Sequence, residues 1–172
     1  GGMKVVRGDW DTSKIDDKIL TSTGGPQEVW FEEAAATKYT ITVTVSNVKA
    51  VNDDLPSVGI LVGDDLNGHG IRVSLFSGWR GTGAEHWFKT YDLNFAEPPL
   101  VPETILPGTS GIETADGVEL KVVRDGTKYW FYIDGELMYS GESSQLATAG
   151  FAGFYSNGCS AVFSNYSYEI NE

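Results

Sequence analysis

Two Asp-Gly pairs, Asp125-Gly126 and Asp134-Gly135, punctuate the stretch GVELKVVRDGTKYWFYIDGELMYSG, residues 117–141. Strand-favouring residues flank each pair. Asp-Gly suits the two positive-φ positions of a type I′ turn, whose twist matches that of a hairpin. With both pairs as two-residue turns, Val122 faces Tyr129, Leu120 faces Phe131 and Val118 faces Ile133. Across the second turn, Phe131 faces Met138, Tyr132 faces Leu137 and Trp130 faces Tyr139. One face then reads Val118, Leu120, Val122, Tyr129, Phe131, Ile133 and Met138, which is a core face. The other reads Glu119, Lys121, Val123, Trp130, Tyr132, Leu137 and Tyr139. A slip by one residue would exchange the two faces, so burial of one holds the register. A meander with one apolar face needs a second layer to cover it.

The rest of the chain supplies that layer. Residues 3–10 and 18–21 are expected strands, with a break at Gly24-Gly25-Pro26 and another strand from Glu28 to Phe31. Residues 32–36, EEAAA, are the only run of good helix formers. They are too few for a stable helix and predict a turn with one helical winding. In YTITVTVSNV, residues 39–48, Tyr39, Ile41, Val43 and Val45 alternate with Thr40, Thr42, Thr44 and Ser46. Period-two alternation of β-branched residues predicts a half-buried strand. Residues 57–76 read as a hairpin about Asn67-Gly68, pairing Asp64 with Ile71, Val62 with Val73 and Ile60 with Leu75. Gly59, Gly63 and Gly70 share its other face with Leu61, Asp65, Arg72, Ser74 and Phe76, and glycines there permit a close approach by another segment or a ligand. Residues 85–94 should hold one strand, and the Pro-rich residues 98–107 an ordered loop crossing the sandwich. Residues 150–155 and 161–170 close the fold around Ser156-Asn157-Gly158. Eleven to thirteen short strands at this spacing specify an all-β, two-sheet antiparallel sandwich or jelly roll.

The 172 residues suffice for a single domain with a substantial core. Formal net charge is −12. Such a surface repels phosphate backbones and anionic headgroups, which argues against nucleic acid or membrane as partner and favours neutral or cationic ligands. Cys159 is the sole cysteine, so no internal disulfide forms and the thiol is expected to be a small buried hydrophobe. No apolar run is long enough to cross a bilayer as a helix. Gly1-Gly2 reads as a cloning remnant, so the module is expected to be cut from a larger chain with further domains.

At this point GDWDTSKIDDKILTSTGG near the start, VELKVVRDGTKYWFYIDGELMYSG and the closing AGFAGFYSNGCSAVFSNYSYEI together resemble the concanavalin A-like lectin/glucanase superfamily, and within it the laminin-G-like and 3-keto-disaccharide-hydrolase-like domains. The resemblance covers nearly the whole chain. It implies a two-sheet jelly roll with a concave face, a C-terminal strand beside the first, glycan binding on that face or in the loops at its edge, and in many members a structural calcium. It is specific for fold and weak for activity, because these elements are architectural. The glucanases of the superfamily carry an E-x-D-x-x-E strand, which is absent here.

Sugar recognition needs a flat aromatic face for the C–H side of a pyranose and planar polar groups for its hydroxyls. Trp79, Arg80, Glu85, His86, Trp87, Tyr91 and Asp92 supply both within one segment. Trp87 could equally plug the core beneath a loop. Trp130, Tyr132 and Tyr139 offer a second platform, for which a core role weighs more heavily. Hydrolysis would need two carboxylates at a controlled separation, and Glu85, His86 and Asp92 are the candidate carriers. Asp64, Asp65 and Asn67 cluster oxygen donors about a turn and are the candidate calcium ligands, without the twelve-residue loop pattern. Three readings follow. The first is a non-catalytic carbohydrate-binding module, extracellular or on a cell surface. The second is a glycoside hydrolase of the same fold, and the third a structural or adhesive module.

Overall fold

The computed structural model describes residues 2–51, 56–65, 70–77, 86–92, 104–106 and 117–171. Its strands are β1 (Met3–Arg7), β2 (Ile19–Thr23), β3 (Gln27–Phe31), β4 (Lys38–Ala50), β5 (Ser57–Asp64), β6 (Ile71–Ser77) and β7 (His86–Asp92). They continue with β8 (Thr104–Leu106), β9 (Val118–Asp125), β10 (Lys128–Ile133), β11 (Glu136–Glu142), β12 (Phe151–Asn157) and β13 (Cys159–Ile170). Seven strands form one sheet, in the order β1-β3-β12-β5-β6-β7-β8. Six form the other, β11-β10-β9-β4-β13-β2. All pairings are antiparallel. This is the expected two-sheet jelly roll.

The core lies between the sheets, where the inward residues of each strand meet. Tyr39, Ile41, Val43 and Val45 of β4 are buried, and the alternating Thr40, Thr42 and Thr44 are half-exposed on the outer side. From the facing sheet come Val29 and Phe31, Val58, Ile60 and Val62, Ile71, Val73 and Leu75, and Phe154. Phe154 stacks on Phe163 at 5.6 Å and meets Phe31 edge-on at 5.4 Å, so aromatic rings bridge the two layers.

Several registers depart from expectation. Across the first Asp-Gly, Val122 pairs with Phe131 and Leu120 with Ile133, two residues away from the expected pairing. The turn residues are Gly126-Thr127, with Asp125 paired to Lys128. Asp125 is not among the positive-φ residues, whereas Gly126 has φ of 62°. A glycine at the first central position is the type II′ choice rather than type I′. Contacts from neighbours hold it: Gly126 N donates to Thr37 O (2.8 Å), and Arg124 Nε donates to Gly126 O (2.9 Å). A two-residue shift conserves side-chain parity, so the core face is as expected. The second turn is the expected one, with Asp134 at φ 49° and Gly135 at φ 81°. A bulge then pairs Phe131 with Tyr139 and leaves Met138 as the extra residue. The β5–β6 ladder is likewise moved by two, pairing Val62 with Ile71 and Ile60 with Val73.

Other expectations need correction. The first strand stops at Arg7, and Trp10 turns inward to meet Phe163 edge-on at 5.3 Å. Residues 32–36 form no helical winding. Single 3-10 turns occur instead at Ile15–Asp17 and Ser144–Leu146. The C-terminal strand β13 runs between β2 and β4, while β1 pairs with β3 in the other sheet.

Candidate functional site

The outer face of the seven-stranded sheet is built from the residues that alternate with its core set. Register aligns Trp30, Gly153, Leu61, Arg72 and Tyr91 in one row across β3, β12, β5, β6 and β7. The next row is Glu28, Tyr155, Gly59, Ser74 and Lys89. Gly59 puts no side chain beside Tyr155, which leaves room for Arg72 to reach diagonally across. The Arg72 guanidinium lies 4.4 Å from the centre of the Tyr155 ring. The Tyr155 hydroxyl is 2.8 Å from Ser57 Oγ, which anchors the ring's far end. Phe151 stacks flat on Trp30 at 5.1 Å. Trp30, Leu61 and Tyr155 form a small apolar cluster separate from the main core.

This patch is deep. Arg72 is 5% exposed and Tyr155 4%. It therefore acts as a foundation that fixes β6 and β12, and the neighbouring strand β7 extends it. Glu28 sits at one flank. Burial pushes its carboxyl above the ordinary carboxylate value, against the pull of the Arg7 and Arg72 charges.

Strand β7 carries four of the residues singled out in the sequence. Tyr91 lies opposite Arg72, and Trp87 lies between Phe76 and Ile105. His86 pairs with Ser77 and Leu106, and Asp92 with Ile71. Trp87 and Tyr91 thus share register parity with the Arg72 face, while Asp92 shares that of core residue Ile71. Trp79, Arg80 and Glu85 lie outside the described residues, as does Asn67. Asp64 closes β5, with Asp65 just after it. Among the described residues no three His, Cys, Asp or Glu side chains come together as a metal site. Cys159 is buried and forms no disulfide.

Sequence reasoning did not assign Arg72, Tyr155, Glu28 or Trp30 to the site. The available signal was Arg72 on the non-core side of a glycine-bearing hairpin. What was missing was the β3–β12–β5 order, which brings Tyr155 next to that hairpin.

No protein-family model matches the chain, and no curated protein matches it in sequence. Solved structures do match in shape. The carbohydrate-binding module CBM66 from Bacillus subtilis superimposes with a TM-score of 0.68 over 98% of this chain and 95% of its own, at 17% identity. The fold is a concanavalin A-like jelly roll. A Bacillus licheniformis beta-glucanase shares that jelly roll with a TM-score of 0.63, covering 99% of this chain and 92% of its own at 9% identity. An alginate lyase from Zobellia galactanivorans does so at 0.57 and 13% identity, over 89% of this chain and 77% of its own. The jelly roll thus serves binding modules and enzymes alike, and identities this low carry the fold alone.

Proposed function

We propose that this chain is a non-catalytic carbohydrate-binding module, extracellular or at a cell surface, whose glycan lies across β6 and β7 on the outer face of the seven-stranded sheet. The observation that carries the reading is the placement of β7. Its register sets Trp87 and Tyr91 beside a face that already holds a guanidinium, a phenol and a carboxyl. A pyranose requires an aromatic surface with polar groups near it, and Trp87 and Tyr91 are residues of the first kind on the strand that extends this buried foundation. Glu85 directly precedes β7 in sequence, Trp79 and Arg80 come a few residues earlier, and all three belong to the same proposed site. The jelly roll shared with a carbohydrate-binding module supports the reading.

The test is affinity electrophoresis through gels of neutral polysaccharide. Retarded migration with no release of reducing sugar is the expected result. Trp87→Ala should weaken the affinity about tenfold, the loss of one good aromatic contact. Its melting temperature should stay near that of the parent. Unchanged retardation in both Trp87→Ala and Trp79→Ala would remove this strand from the site. The second reading is hydrolysis by Glu85, His86 and Asp92, in a jelly roll whose shape a beta-glucanase shares. Sugar release abolished in Glu85→Gln would establish it. No retardation by any glycan would leave a structural or adhesive module.

A further inference from the structure

We infer a second saccharide site, on the opposite side of the molecule, centred on Trp130. The outer face of the six-stranded sheet aligns Ser140, Trp130, Val123, Thr40 and Glu169 in one row. The next row is Leu137, Tyr132, Lys121, Thr42 and Ser167. The middle of this face is half-exposed and rich in hydroxyls. At its edge, Lys128, Trp130, Ser140, Gly141 and Glu142 line an open groove of about 290 Å³. That volume is at the lower end for ligand sites.

Three observations point to a sugar. The first is the state of the two aromatic rings on β10. Tyr132 is already engaged, with Lys121 Nζ 5.1 Å from its ring centre. Trp130 is half-exposed and stacks on no other ring or cation among the described residues. An indole left open in a groove is a ready surface for the C–H face of a pyranose.

The second is the pair of charges flanking it. Lys128 and Glu142 are cross-strand partners on the same side of the ribbon as Trp130. The Glu142 carboxylate is held by the Thr127 hydroxyl, which donates at 3.0 Å. One donor and one pre-positioned acceptor beside a ring match vicinal hydroxyls. The third is that their charges cancel locally, within a chain of net charge −12. A polyanion is repelled by the net charge, and the cancelled pair offers a cation no concentrated negative charge at this spot. A neutral saccharide suffers neither effect.

This site does not depend on β7, and the experiment separates the two. The whole chain, labelled with nitrogen-15, is titrated with oligosaccharides cut from galactomannan, xylan, β-glucan and a fructan. The indole N–H signal of Trp130 is identified by its loss in Trp130→Phe. Expected is a saturable shift of that signal with at least one of these sugars. The shift should persist in Trp87→Ala. Trp130→Ala should weaken binding at this face about tenfold, and Glu142→Gln less. A Trp130 signal unmoved by all of these sugars overturns the inference. So does a shift that disappears in Trp87→Ala, which would leave the β7 reading standing. A Trp130 response that survives in a Trp87→Ala variant binding as tightly as the parent supports the second site and sinks only the reading of β7.

Discussion

Arg124 shows how much one side chain can hold. It is 1% exposed, on the inward side of β9, where an aliphatic residue would be expected. Its Nη1 donates to Ala36 O (3.0 Å), and its Nη2 donates to Leu146 O (3.0 Å) and Thr148 O (2.7 Å). Its Nε donates to Gly126 O (2.9 Å). The buried charge is satisfied by carbonyls from separate segments, so it ties the start of β4, the β9–β10 turn and the turn before β12 together. Gly63 is shaped by the same side chain: a Cβ there would lie 3.0 Å from Arg124 Nη1 and 2.5 Å from Leu146 Cδ2. Removal leaves buried carbonyls without donors, which costs about 3–5 kcal/mol. Arg124→Met should show a loss of that order in denaturant unfolding. Arg124→Lys should lose nearly as much, because one ammonium cannot span acceptors on so many segments. Equal stability of the lysine variant would refute the pin. The sequence could not announce this role, since an arginine in a strand reads as an outward residue until its acceptors are placed around it. The site is similar. Trp87 and Tyr91 stood out because aromatic and polar residues crowd one segment, but Arg72 and Tyr155 are 83 positions apart and meet only through sheet order.

Among the elements, regular alternation was readable and its interruptions were not. Strand β4 buries Tyr39 through Val45 as alternation requires. It then bulges at Asn47, with φ of 51°, so that Val48 returns to the core. Strand β13 does the same at Asn165, also at φ 51°, bringing Tyr166 inside. The two bulges lie on paired strands, where the ladder shifts between Ser160 and Val162 and between Ser164 and Ser167. Asn tolerates this conformation, but nothing local marks which Asn adopts it. The turn registers failed for the same kind of reason, since tertiary bonds to Gly126 outweighed the preference of Asp-Gly. Strands β3 and β12 approach closely at Gly153. A Cβ on Gly153 would overlap Val29 O, with backbone rather than a movable side chain in the way. Gly153→Ala must push the strands apart, through the Trp30 pair on the outer face and the Phe31–Phe154 contact inside. A loss of about 3 kcal/mol is expected in chemical unfolding, at the upper end for overpacking. A variant as stable as the parent would show that the two strands can separate freely.

For the molecule as a whole, the two sheet faces share one electrostatic environment. The excess of 24 acidic over 12 basic residues is a long-range field and belongs to neither site. Its reach is about 30 Å at 0.01 M salt and about 8 Å at 0.15 M, so at low salt every approaching ligand experiences the full charge. A neutral glycan gains nothing and loses nothing from it. Affinity for a neutral β-glucan should therefore change by less than about twofold between 0.01 and 0.5 M sodium chloride. A carboxymethylated form of the same β-glucan offers the same rings with added negative charge. It should bind more weakly than the neutral polymer at low salt, and the gap should close as salt rises. The reverse ranking, with the anionic polymer bound more tightly and released by salt, would mean that a local basic patch governs recognition. The aromatic platforms on both faces would then not be the binding surfaces.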